Sequence, residues 1–412
     1  MKYFVESYGC TMNFGEGLQL SERMSELGHV KVNSAEEANI VILNTCTVVE
    51  TTEKKMIRRM SDLKKAGKEV IVTGCMAKVQ SNRISIRLPD SIILPPDKYK
   101  DFSCIVTEKY GCTDHPFILE TETFGIIPIA QGCLGNCTYC ITKFARGKLI
   151  SYPYDDILSQ FNRMIEHGVR EILITAQDTA CYGHDNGSDL ADLITKMLNT
   201  TGDYRIRIGM MNPNSLEPIL DKLLDALDDP RVYKFFHIPV QSGSNDVLNG
   251  MKRHYRVEKF FSIVNRIRAR YPDFSIATDI ISGFPGETDE DHRKTFELIR
   301  TLRADTVNIT RFSSRPGTEA AEMEPIHGRI SKERSTELTA IKNETEYNIN
   351  SKLIGKTFEV LITENGTNGS VIGRTSNYRP VALKITLPLG SFVNTEITDC
   401  TSTYLVGRVL NK

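Results

Sequence analysis

The sequence predicts an α/β protein with three parts: an N-terminal α/β domain, a central incomplete barrel of six (β/α) units, and a small C-terminal β-barrel. Three observations support this prediction. Strand and helix patterns alternate over the first hundred residues, the alternation resumes in the middle of the chain, and the last segment contains only short alternating strands. At 412 residues the chain is long enough for two or three domains.

Residues 1–100 form the predicted N-terminal domain, and their alternating pattern favours a parallel, Rossmann-like sheet. The predicted elements are strands at Lys2–Tyr8, Asn39–Leu43 and Glu69–Thr73, helices at Glu16–Leu27 and Glu50–Lys65, and two further segments at Ser81–Leu88 and Ser91–Leu94.

Cys10, Cys46 and Cys75 each follow one of these predicted strands. The carboxyl edge of a parallel sheet is where ligands bind in such folds. If the three strands are neighbours, the three thiols converge and can hold an iron–sulfur cluster with one open iron. The alternative is that each is an ordinary core cysteine, because free cysteine packs as a small hydrophobic residue.

Residues 101–123 are polar and irregular, and we predict a linker there. The linker contains Cys104 and Cys112, which we interpret as structural or incidental because neither follows a predicted strand.

Three more cysteines, Cys133, Cys137 and Cys140, are spaced C-x3-C-x2-C in a short loop after an apolar run. The spacing is too tight for a disulfide framework, and three ligands are one short for structural zinc. Three thiolates suit a [4Fe–4S] cluster that leaves one iron open to a substrate or cofactor. Three buried cysteines that pack together by chance are the alternative.

Residues 124–312 form the predicted central domain, in which six βα-like units indicate a partial (β/α)8-type barrel. The first strand begins at Phe124. Further strands are predicted at Glu171–Thr175, Arg205–Met210, Phe235–Pro239, Ser275–Ile281 and Thr306–Thr310, with helices near Asp155–His167, Asp189–Leu198, Glu217–Leu227, Val257–Arg270 and Glu290–Leu302.

The cysteine loop and the residues that follow it, from Ile141 to Gly147, resemble the signature loop of radical S-adenosylmethionine (SAM) enzymes. With the three N-terminal cysteines added, the chain resembles the methylthiotransferases. The motif from Tyr8 to Asn13 with Glu16, together with Ala145-Arg146-Gly147, is similar to the archaeal and eukaryotic branch that acts on N6-threonylcarbamoyladenosine 37 of tRNA.

This resemblance implies two [4Fe–4S] clusters and SAM as cofactors. Cys133, Cys137 and Cys140 hold the cluster that cleaves SAM, and Cys10, Cys46 and Cys75 hold an auxiliary cluster. It further implies SAM contacts from the backbone of Tyr139 and from Gln177, Gln241, Ser242 and Thr278, and no side-chain acid or base. We interpret Cys181 as a bystander, and Arg207 as an inward-facing residue or an ordinary salt-bridge partner.

Residues 313–354 are predicted to be a linker followed by a helix at Ser331–Leu353, and residues 355–412 to be a small β-barrel. Its strands are predicted at Phe358–Thr363, Ser370–Thr375, Val381–Lys384, Ser391–Thr398 and Thr403–Leu410. This part resembles the TRAM domain, an RNA-binding module, although a solvated barrel surface explains its charges equally well. The candidate RNA contacts are Lys356, Arg374, Tyr378, Arg379, Lys384 and Arg408.

The function implied is 2-methylthiolation of threonylcarbamoyladenosine 37 in the anticodon stem-loop of tRNA, with an electron-donor protein and a sulfur source as partners. The same chemistry on isopentenyladenosine or on a ribosomal-protein side chain is the nearest alternative. An iron–sulfur electron carrier or sensor and a zinc-stabilised RNA-binding module remain as different classes. The net charge of −1 requires local patches to bind RNA. We expect a cytoplasmic protein without a membrane span.

Overall fold

Five parallel strands form the sheet of the N-terminal domain in the computed structural model, which describes residues 1–48, 50–112 and 123–410. The strands are β1 (Lys2–Ser7), β2 (Val30–Lys31), β3 (Ile40–Thr45), β4 (Glu69–Gly74) and β5 (Ile92–Leu94). The helices are α1 (Thr11–Glu26), α2 (Glu50–Lys65), α3 (Cys75–Val79), α4 (Ser81–Arg87) and α5 (Phe102–Tyr110).

The strand order is β2-β1-β3-β4-β5, so the strands that precede the three N-terminal cysteines are direct neighbours. The central strand β3 is buried along its whole length. Val41 and Leu43 pack on one face of the sheet, whereas Ile40 and Ile42 pack on the other. A strand covered on both faces explains why its sequence is a continuous apolar run.

The segment predicted as an irregular linker differs from that prediction in its first half. Helix α5 occupies Phe102–Tyr110, and both Phe102 and Val106 are fully buried against the N-terminal sheet. The sequence signal for this helix is only two apolar residues four positions apart. The polar residues around them made the segment look irregular. The rest of the predicted linker, 113–122, lies outside the described residues.

The central domain contains the predicted six main strands and their intervening helices. The strands, including two short ones, are β6 (Phe124–Pro128), β7 (Ala130–Gln131), β8 (Ile150–Ser151), β9 (Glu171–Thr175), β10 (Arg205–Ile208), β11 (Phe235–His237), β12 (Ser275–Ser282) and β13 (Thr306–Arg311). The helices are α6 (Thr142–Arg146), α7 (Tyr154–Glu166), α8 (Leu190–Leu198), α9 (Pro213–Leu216), α10 (Leu220–Ala226), α11 (Asn245–Gly250), α12 (Val257–Arg270) and α13 (Asp289–Leu302).

The six main strands run parallel in two sets, β6-β9-β10 and β11-β12-β13. A parallel bridge from Ile206 to Val232 joins the sets, and the amide of Tyr233 donates to the carbonyl of Ile206 at 2.9 Å. The result is one curved, open sheet, which confirms the predicted partial barrel. A single large apolar core fills the space between this sheet and its helices.

The C-terminal part begins with the long helix α14 (Gly328–Asn350) and continues into a closed five-stranded barrel. Its strands are β14 (Thr357–Asn365), β15 (Val371–Thr375), β16 (Pro380–Leu383), β17 (Phe392–Cys400) and β18 (Leu405–Val409), in the spatial order β14-β15-β16-β18-β17. Closure removes unpaired strand edges. Within the described ranges, no helix has the length and apolarity to cross a membrane.

The C-terminal barrel docks on the amino-terminal ends of the central strands through Tyr378. Its ring lies 4.9 Å from the ring of Tyr233 and 5.0 Å from the ring of Phe235. The guanidinium of Arg207 lies 5.1 Å from the ring of Phe235 and 5.3 Å from that of Tyr378. Arg207 therefore faces the barrel and joins this aromatic contact, so its side chain serves the domain interface.

This docking gives half of the predicted RNA-contact residues partners inside the protein. Tyr378 is enclosed by aromatic rings, Arg374 lies over its ring and pairs with Glu364 at 2.7 Å, and Arg379 pairs with Asp305 of the central domain. A strand pattern shows which side chains point out of a barrel, but not that a second domain covers one outer face. The other three candidates, Lys356, Lys384 and Arg408, are exposed.

We predict that Tyr378→Ala lowers the free energy of unfolding by about 3 kcal/mol, because it removes a buried aromatic ring from the domain interface. Tyr404→Ala on the same barrel is the matched control: its side chain is 42% exposed, and we expect a change within about 0.5 kcal/mol. Chemical denaturation measures both values. Equal small losses for the two variants would mean that Tyr378 does not secure the barrel.

Candidate functional site

The three N-terminal cysteines meet at the carboxyl edge of the sheet, as predicted from their positions after the strands. Cys10 follows β1, Cys46 follows β3, and Cys75 begins α3 directly after β4. Cys75 is close enough to both Cys10 and Cys46 for their charges to interact.

Glycines before two of these cysteines allow the close approach. A Cβ atom on Gly9 would lie 2.6 Å from the Cβ of Cys46, and one on Gly74 would lie 2.2 Å from the carbonyl oxygen of Thr45. Both glycines also have positive φ angles, 105° and 82°. A side chain at either position would push the cysteine-bearing loops apart.

The second cysteine group lies in the loop between β7 and α6. Backbone contacts fix this loop: the amide of Gly132 donates to Oε1 of Gln177 at 2.7 Å, and the amide of Thr138 donates to the carbonyl of Met251 at 3.1 Å. An ideal Cβ on Gly135 would lie 3.2 Å from Sγ of Cys133 and 3.8 Å from Sγ of Cys137. The sulfurs therefore converge around one point of the loop.

Four of the six cysteine sulfurs accept an N–H hydrogen bond. The sulfur of Cys46 accepts from the amide of Val48 at 3.4 Å, and that of Cys133 accepts from the amide of Gly135 at 3.1 Å. The sulfur of Cys75 accepts from Nε of Arg146 at 3.4 Å, and that of Cys137 accepts from Nη1 of Arg253 at 3.3 Å. N–H donors aimed at sulfur stabilise thiolates and adjust the potential of an iron–sulfur cluster. The predicted thiolate ligands would therefore be stabilised by the protein at these four positions.

Burial opposes ionisation of these thiols in the free protein. It raises the pKa of Cys75 to about 12, although Arg146 counteracts the shift, and it raises the pKa of Cys133 to about 11 against the effect of the Gly135 amide. A buried thiol needs a nearby positive charge to become a thiolate, and bound iron supplies one. Metal binding and proton release at these positions are therefore coupled.

Arg146 connects the two cysteine groups across the domain boundary. It lies on α6, six residues after Cys140, yet its side chain reaches the N-terminal domain. There it contacts Cys75, pairs with Glu16 and donates to Oδ1 of Asn13 at 2.5 Å. Although burial favours the neutral form, the neighbouring Cys75 and Glu16 hold the pKa of Arg146 well above its usual value.

The predicted SAM contacts divide into different structural roles. The hydroxyl of Thr278 is fully buried, donates to the carbonyl of Ile238 at 2.8 Å and accepts the amide of Val240 at 3.0 Å. The hydroxyl of Thr278 therefore stabilises the sheet, and its contact with SAM stays a prediction. Gln177 uses its carbonyl oxygen to hold Gly132 of the cysteine loop.

The other three predicted SAM residues lie at the ends of strands or in the loop itself. Ser242 is buried and contacts Oγ1 of Thr295 at 3.3 Å, and Tyr139 packs against an apolar cluster that includes Phe284. Gln241 adopts a φ of 71°, which is rare for a residue other than glycine. Such backbone strain occurs at functional positions, and the contact of Gln241 with SAM stays a prediction.

The sequence reasoning missed a row of polar side chains on the curved sheet. Asp279 of β12 accepts from Nε2 of His237 on β11 at 2.9 Å and from the side-chain amide of Asn308 on β13 at 2.8 Å. Despite the opposing effect of burial, these partners lower the pKa of Asp279. The register pairs Asp279 with Asn308 but places His237 opposite Ala277, two residues earlier on β12, so this cluster depends on strand pairing that the sequence alone does not show.

The remaining four cysteines, Cys104, Cys112, Cys181 and Cys400, lie outside the two groups. Cys181 is buried and its Sγ lies 3.0 Å from Oδ2 of Asp178, whereas Cys104 and Cys112 are exposed. Burial raises the pKa of Cys181, which keeps its thiol protonated. These contacts agree with a structural role for Cys181.

Large apolar side chains are exposed beside both cysteine groups. Phe14 and Val48 flank the N-terminal group, and Leu134 and Phe144 flank the loop group, with exposures between 44% and 57%. Exposed apolar side chains that border polar groups commonly mark an interaction site. Here they offer stacking and packing surfaces for a ligand that approaches the cysteines.

Each cysteine group offers three thiols, the ligand set of a [4Fe–4S] cluster with one open iron. In the part of the chain that the structure describes, no three His, Cys, Asp or Glu side chains are arranged to hold one ion. The thiolates of a cubane each bind a different iron, so they stand farther apart than the ligands of a zinc ion.

These features define a radical SAM protein with a second cysteine site and a C-terminal β-barrel, and comparison with protein families agrees. The Radical SAM superfamily matches residues 127–299, the uncharacterized protein family UPF0004 matches residues 2–94, and the TRAM domain matches residues 351–410.

Relatives from archaea and eukaryotes match over most or all of their length. A probable threonylcarbamoyladenosine tRNA methylthiotransferase from Pyrococcus abyssi is 42% identical, with all of both chains covered. One from Archaeoglobus fulgidus is 39% identical over 99% of both chains, and the Xenopus laevis protein is 34% identical over 88% of this chain and 68% of its own. The chain belongs to the threonylcarbamoyladenosine tRNA methylthiotransferase family.

Solved structures resemble this fold at low sequence identity. The radical SAM methyltransferase TsrM from Kitasatospora setae has a TM-score of 0.59 at 12% identity, covering 78% of this chain and 74% of its own. The cobalamin-dependent SAM radical enzyme OxsB has a TM-score of 0.53 at 11% identity, covering 84% and 56%. Such identities establish the shared fold alone.

We predict that Arg146→Gln lowers the free energy of unfolding by about 3–5 kcal/mol, because it leaves the buried carboxylate of Glu16 without its partner. The double variant Arg146→Gln with Glu16→Gln is expected to recover part of this loss. Chemical denaturation of the wild type, both single variants and the double variant gives the coupling between the two residues.

Arg163→Gln is the control for this prediction. Arg163 of α7 also pairs with α1, through Glu22 at 2.7 Å, but its side chain is 44% exposed. Ion pairs of that kind contribute about 0–1 kcal/mol. A loss for Arg146→Gln no larger than that for Arg163→Gln would contradict the assigned importance of the buried pair.

Proposed function

We propose that this protein converts N6-threonylcarbamoyladenosine at position 37 of tRNA to its 2-methylthio derivative by radical SAM chemistry. The observation that carries the proposal is the pairing of two cysteine groups by Arg146, which reaches Cys75 from the helix that follows Cys140. Two thiolate groups on opposite sides of one domain boundary suit a reaction that needs both a radical and a sulfur donor. The family relationship supports the same reaction.

The six cysteines have two roles in this proposal. Cys133, Cys137 and Cys140 hold the [4Fe–4S] cluster that binds SAM, and Cys10, Cys46 and Cys75 hold the auxiliary one. When bound, the clusters and SAM supply radical generation and sulfur transfer, and the protein supplies position and environment. Arg253 donates to Cys137 and Arg146 donates to Cys75, so each cysteine group has its own buried cation.

The segment after the central domain also supports the N-terminal cysteine group. Arg315 is buried, pairs with Glu53 at 3.0 Å and donates to the carbonyl of Val48 at 2.9 Å. Val48 lies two residues after Cys46, so Arg315 holds the loop that carries this thiol. Three separate parts of the chain therefore support the N-terminal cysteine group: its own domain, the helix that carries Arg146, and the segment that carries Arg315.

The substrate base has to leave its stack to reach the cysteines, because chemistry on a base requires access to its edge. The exposed side chains of Phe14 and Phe144 lie beside the two cysteine groups and suit stacking against nucleobases. On the C-terminal barrel, the exposed Lys356, Lys384 and Arg408 are positioned for phosphate contact. An electron-donor protein and a sulfur source complete the partners that the reaction requires.

The alternative substrates have less support. The relatives compared above are named for threonylcarbamoyladenosine, which favours that nucleoside over isopentenyladenosine and over a ribosomal-protein side chain. An electron carrier or sensor would need neither a second cysteine group nor a C-terminal barrel. These additional parts therefore favour the transferase.

Separate cysteine variants test the division of roles. We expect Cys133→Ala to abolish reductive SAM cleavage, and Cys10→Ala to retain SAM cleavage but lose methylthiolation of tRNA. Iron content should fall by about half in each variant, because one cluster of two is lost. Cys104→Ala, which removes an exposed cysteine away from both groups, is the control and should keep full activity.

The two activities are measured on the same reconstituted protein, with 5′-deoxyadenosine as the product of SAM cleavage. Equal loss of both activities in Cys133→Ala and Cys10→Ala, with iron content intact, would contradict separate roles. Retention of methylthiolation in either variant would contradict the proposed ligands.

A further inference from the structure

A cleft of about 780 Å³ opens at the amino-terminal end of the central strands, where the central domain, α14 and the C-terminal barrel meet. Four arginines line it: Arg268, Arg300, Arg303 and Arg379. They come from the end of α12, from the end of α13 and the residue that follows it, and from the turn between β15 and β16. The cleft is distinct from the cysteine site.

The charges in the cleft do not cancel. Its single lining carboxylate, Asp305, is occupied, since one oxygen pairs with Arg379 and the other accepts the amide of Ile276 at 2.8 Å. Arg300 pairs with Glu297 on its own helix at 2.7 Å. Within residues 1–48, 50–112 and 123–410, the structure shows no carboxylate paired with Arg268 or Arg303.

The arginines also perturb one another. Burial lowers the pKa of Arg268, Asp305 opposes that effect, and the positive charge of Arg303 adds to it. Arg303 has a φ of 52° at the end of α13, a position that usually favours glycine or asparagine. A cationic side chain is thus placed at the rim of an already positive cleft.

The length of strand β12 shows how far this cleft lies from the cysteine loop. Phe274 and Ile276, at the start of the strand, line the cleft, whereas Phe284, just after its end, belongs to the apolar cluster that contacts Tyr139. Eight residues of strand span about 26 Å. A ligand bound in the cleft therefore cannot be the part that reacts at the cysteines.

We propose that this cleft binds the sugar–phosphate backbone of tRNA at nucleotides outside the reacting loop. The identity of the RNA rests on the proposed function, whereas the preference for phosphate follows from the arginines. Guanidinium groups match phosphate geometry through paired hydrogen bonds, and a concave positive surface concentrates a polyanion. The neighbouring C-terminal barrel contributes Arg379 and makes the cleft continuous with a second RNA-facing domain.

The test compares variants of the reconstituted full-length protein in binding to labelled total tRNA of the source organism, by fluorescence anisotropy over a range of salt. We expect Arg300→Gln with Arg303→Gln to weaken binding at each salt concentration. The slope of log affinity against log salt should fall by about one for each phosphate contact removed. Arg300→Lys with Arg303→Lys should keep most of the wild-type salt slope, because lysine keeps the positive charge at both positions.

Arg293→Gln is the matched control. Arg293 lies on the same helix, pairs with Glu290 as Arg300 pairs with Glu297, and has a similarly exposed side chain, 69% against 64%. It does not line the cleft in the described part of the chain. We expect its variant to bind tRNA with wild-type affinity and slope.

Unchanged affinity and slope in the double glutamine variant would overturn the proposal. An equal loss in Arg293→Gln would also overturn it, because it would indicate a general charge effect. If the double glutamine variant lost binding to polyglutamate but kept binding to tRNA, the partner of the cleft would be an acidic protein and the proposal would be wrong. SAM cleavage without tRNA is measured in parallel. If the cleft variant loses RNA binding, the cleft proposal is supported even when no form of the protein methylthiolates tRNA. The proposal for the cleft and the proposal for the reaction can therefore fail independently.

Discussion

The buried pair between Arg146 and Glu16 is the interaction on which the candidate site depends. The two side chains are 1% and 3% exposed and come from different domains. A charge left alone at such a position costs several kcal/mol, so the domains cannot separate here without a large loss of stability. Because Arg146 also donates to Cys75, this pair fixes one cysteine group relative to the helix that follows the other. The relative placement of both groups is a consequence of charge burial.

A second constraint acts at the opposite end of the central strands. There the ring of Tyr378 packs among Tyr233 and Phe235, while Arg379 pairs with Asp305. Aromatic packing and a cross-domain ion pair orient the C-terminal barrel on the central domain. Together, the two sets of contacts hold other domains at both ends of the curved sheet. The cysteines lie at its carboxyl end, and the arginine cleft lies at its amino end.

Much of this arrangement was predictable because it depends on short-range patterns. Alternating strands and helices indicated the parallel sheets, and cysteines directly after strands indicated a shared edge. A further signal was present in Gly-Cys pairs with a positive φ at the glycine: Gly9-Cys10, Gly74-Cys75 and Gly132-Cys133 belong to the site, whereas the fourth such pair, Gly111-Cys112, does not. Glycine at those points lets neighbouring backbones come close enough for the sulfurs to meet.

The contacts between distant segments could not be predicted from the sequence. Tyr378 and Arg379 look like part of a basic, aromatic surface in the sequence, but they contact the central domain. Thr278 has the right residue type and position for a cofactor contact, yet its hydroxyl is used within the sheet. In both cases the decisive partner is far away in the chain, and no local pattern of polarity or spacing encodes it.

The measurement that tests the central claim most directly is mass spectrometry of the nucleosides from total tRNA of the source organism, with and without this gene. The account predicts loss of 2-methylthio-N6-threonylcarbamoyladenosine and accumulation of its unthiolated precursor. Loss of the isopentenyl analogue instead would keep the chemistry but contradict the assigned substrate. If no tRNA nucleoside changes, the RNA substrate itself is wrong, and the two cysteine groups serve a reaction on a different molecule.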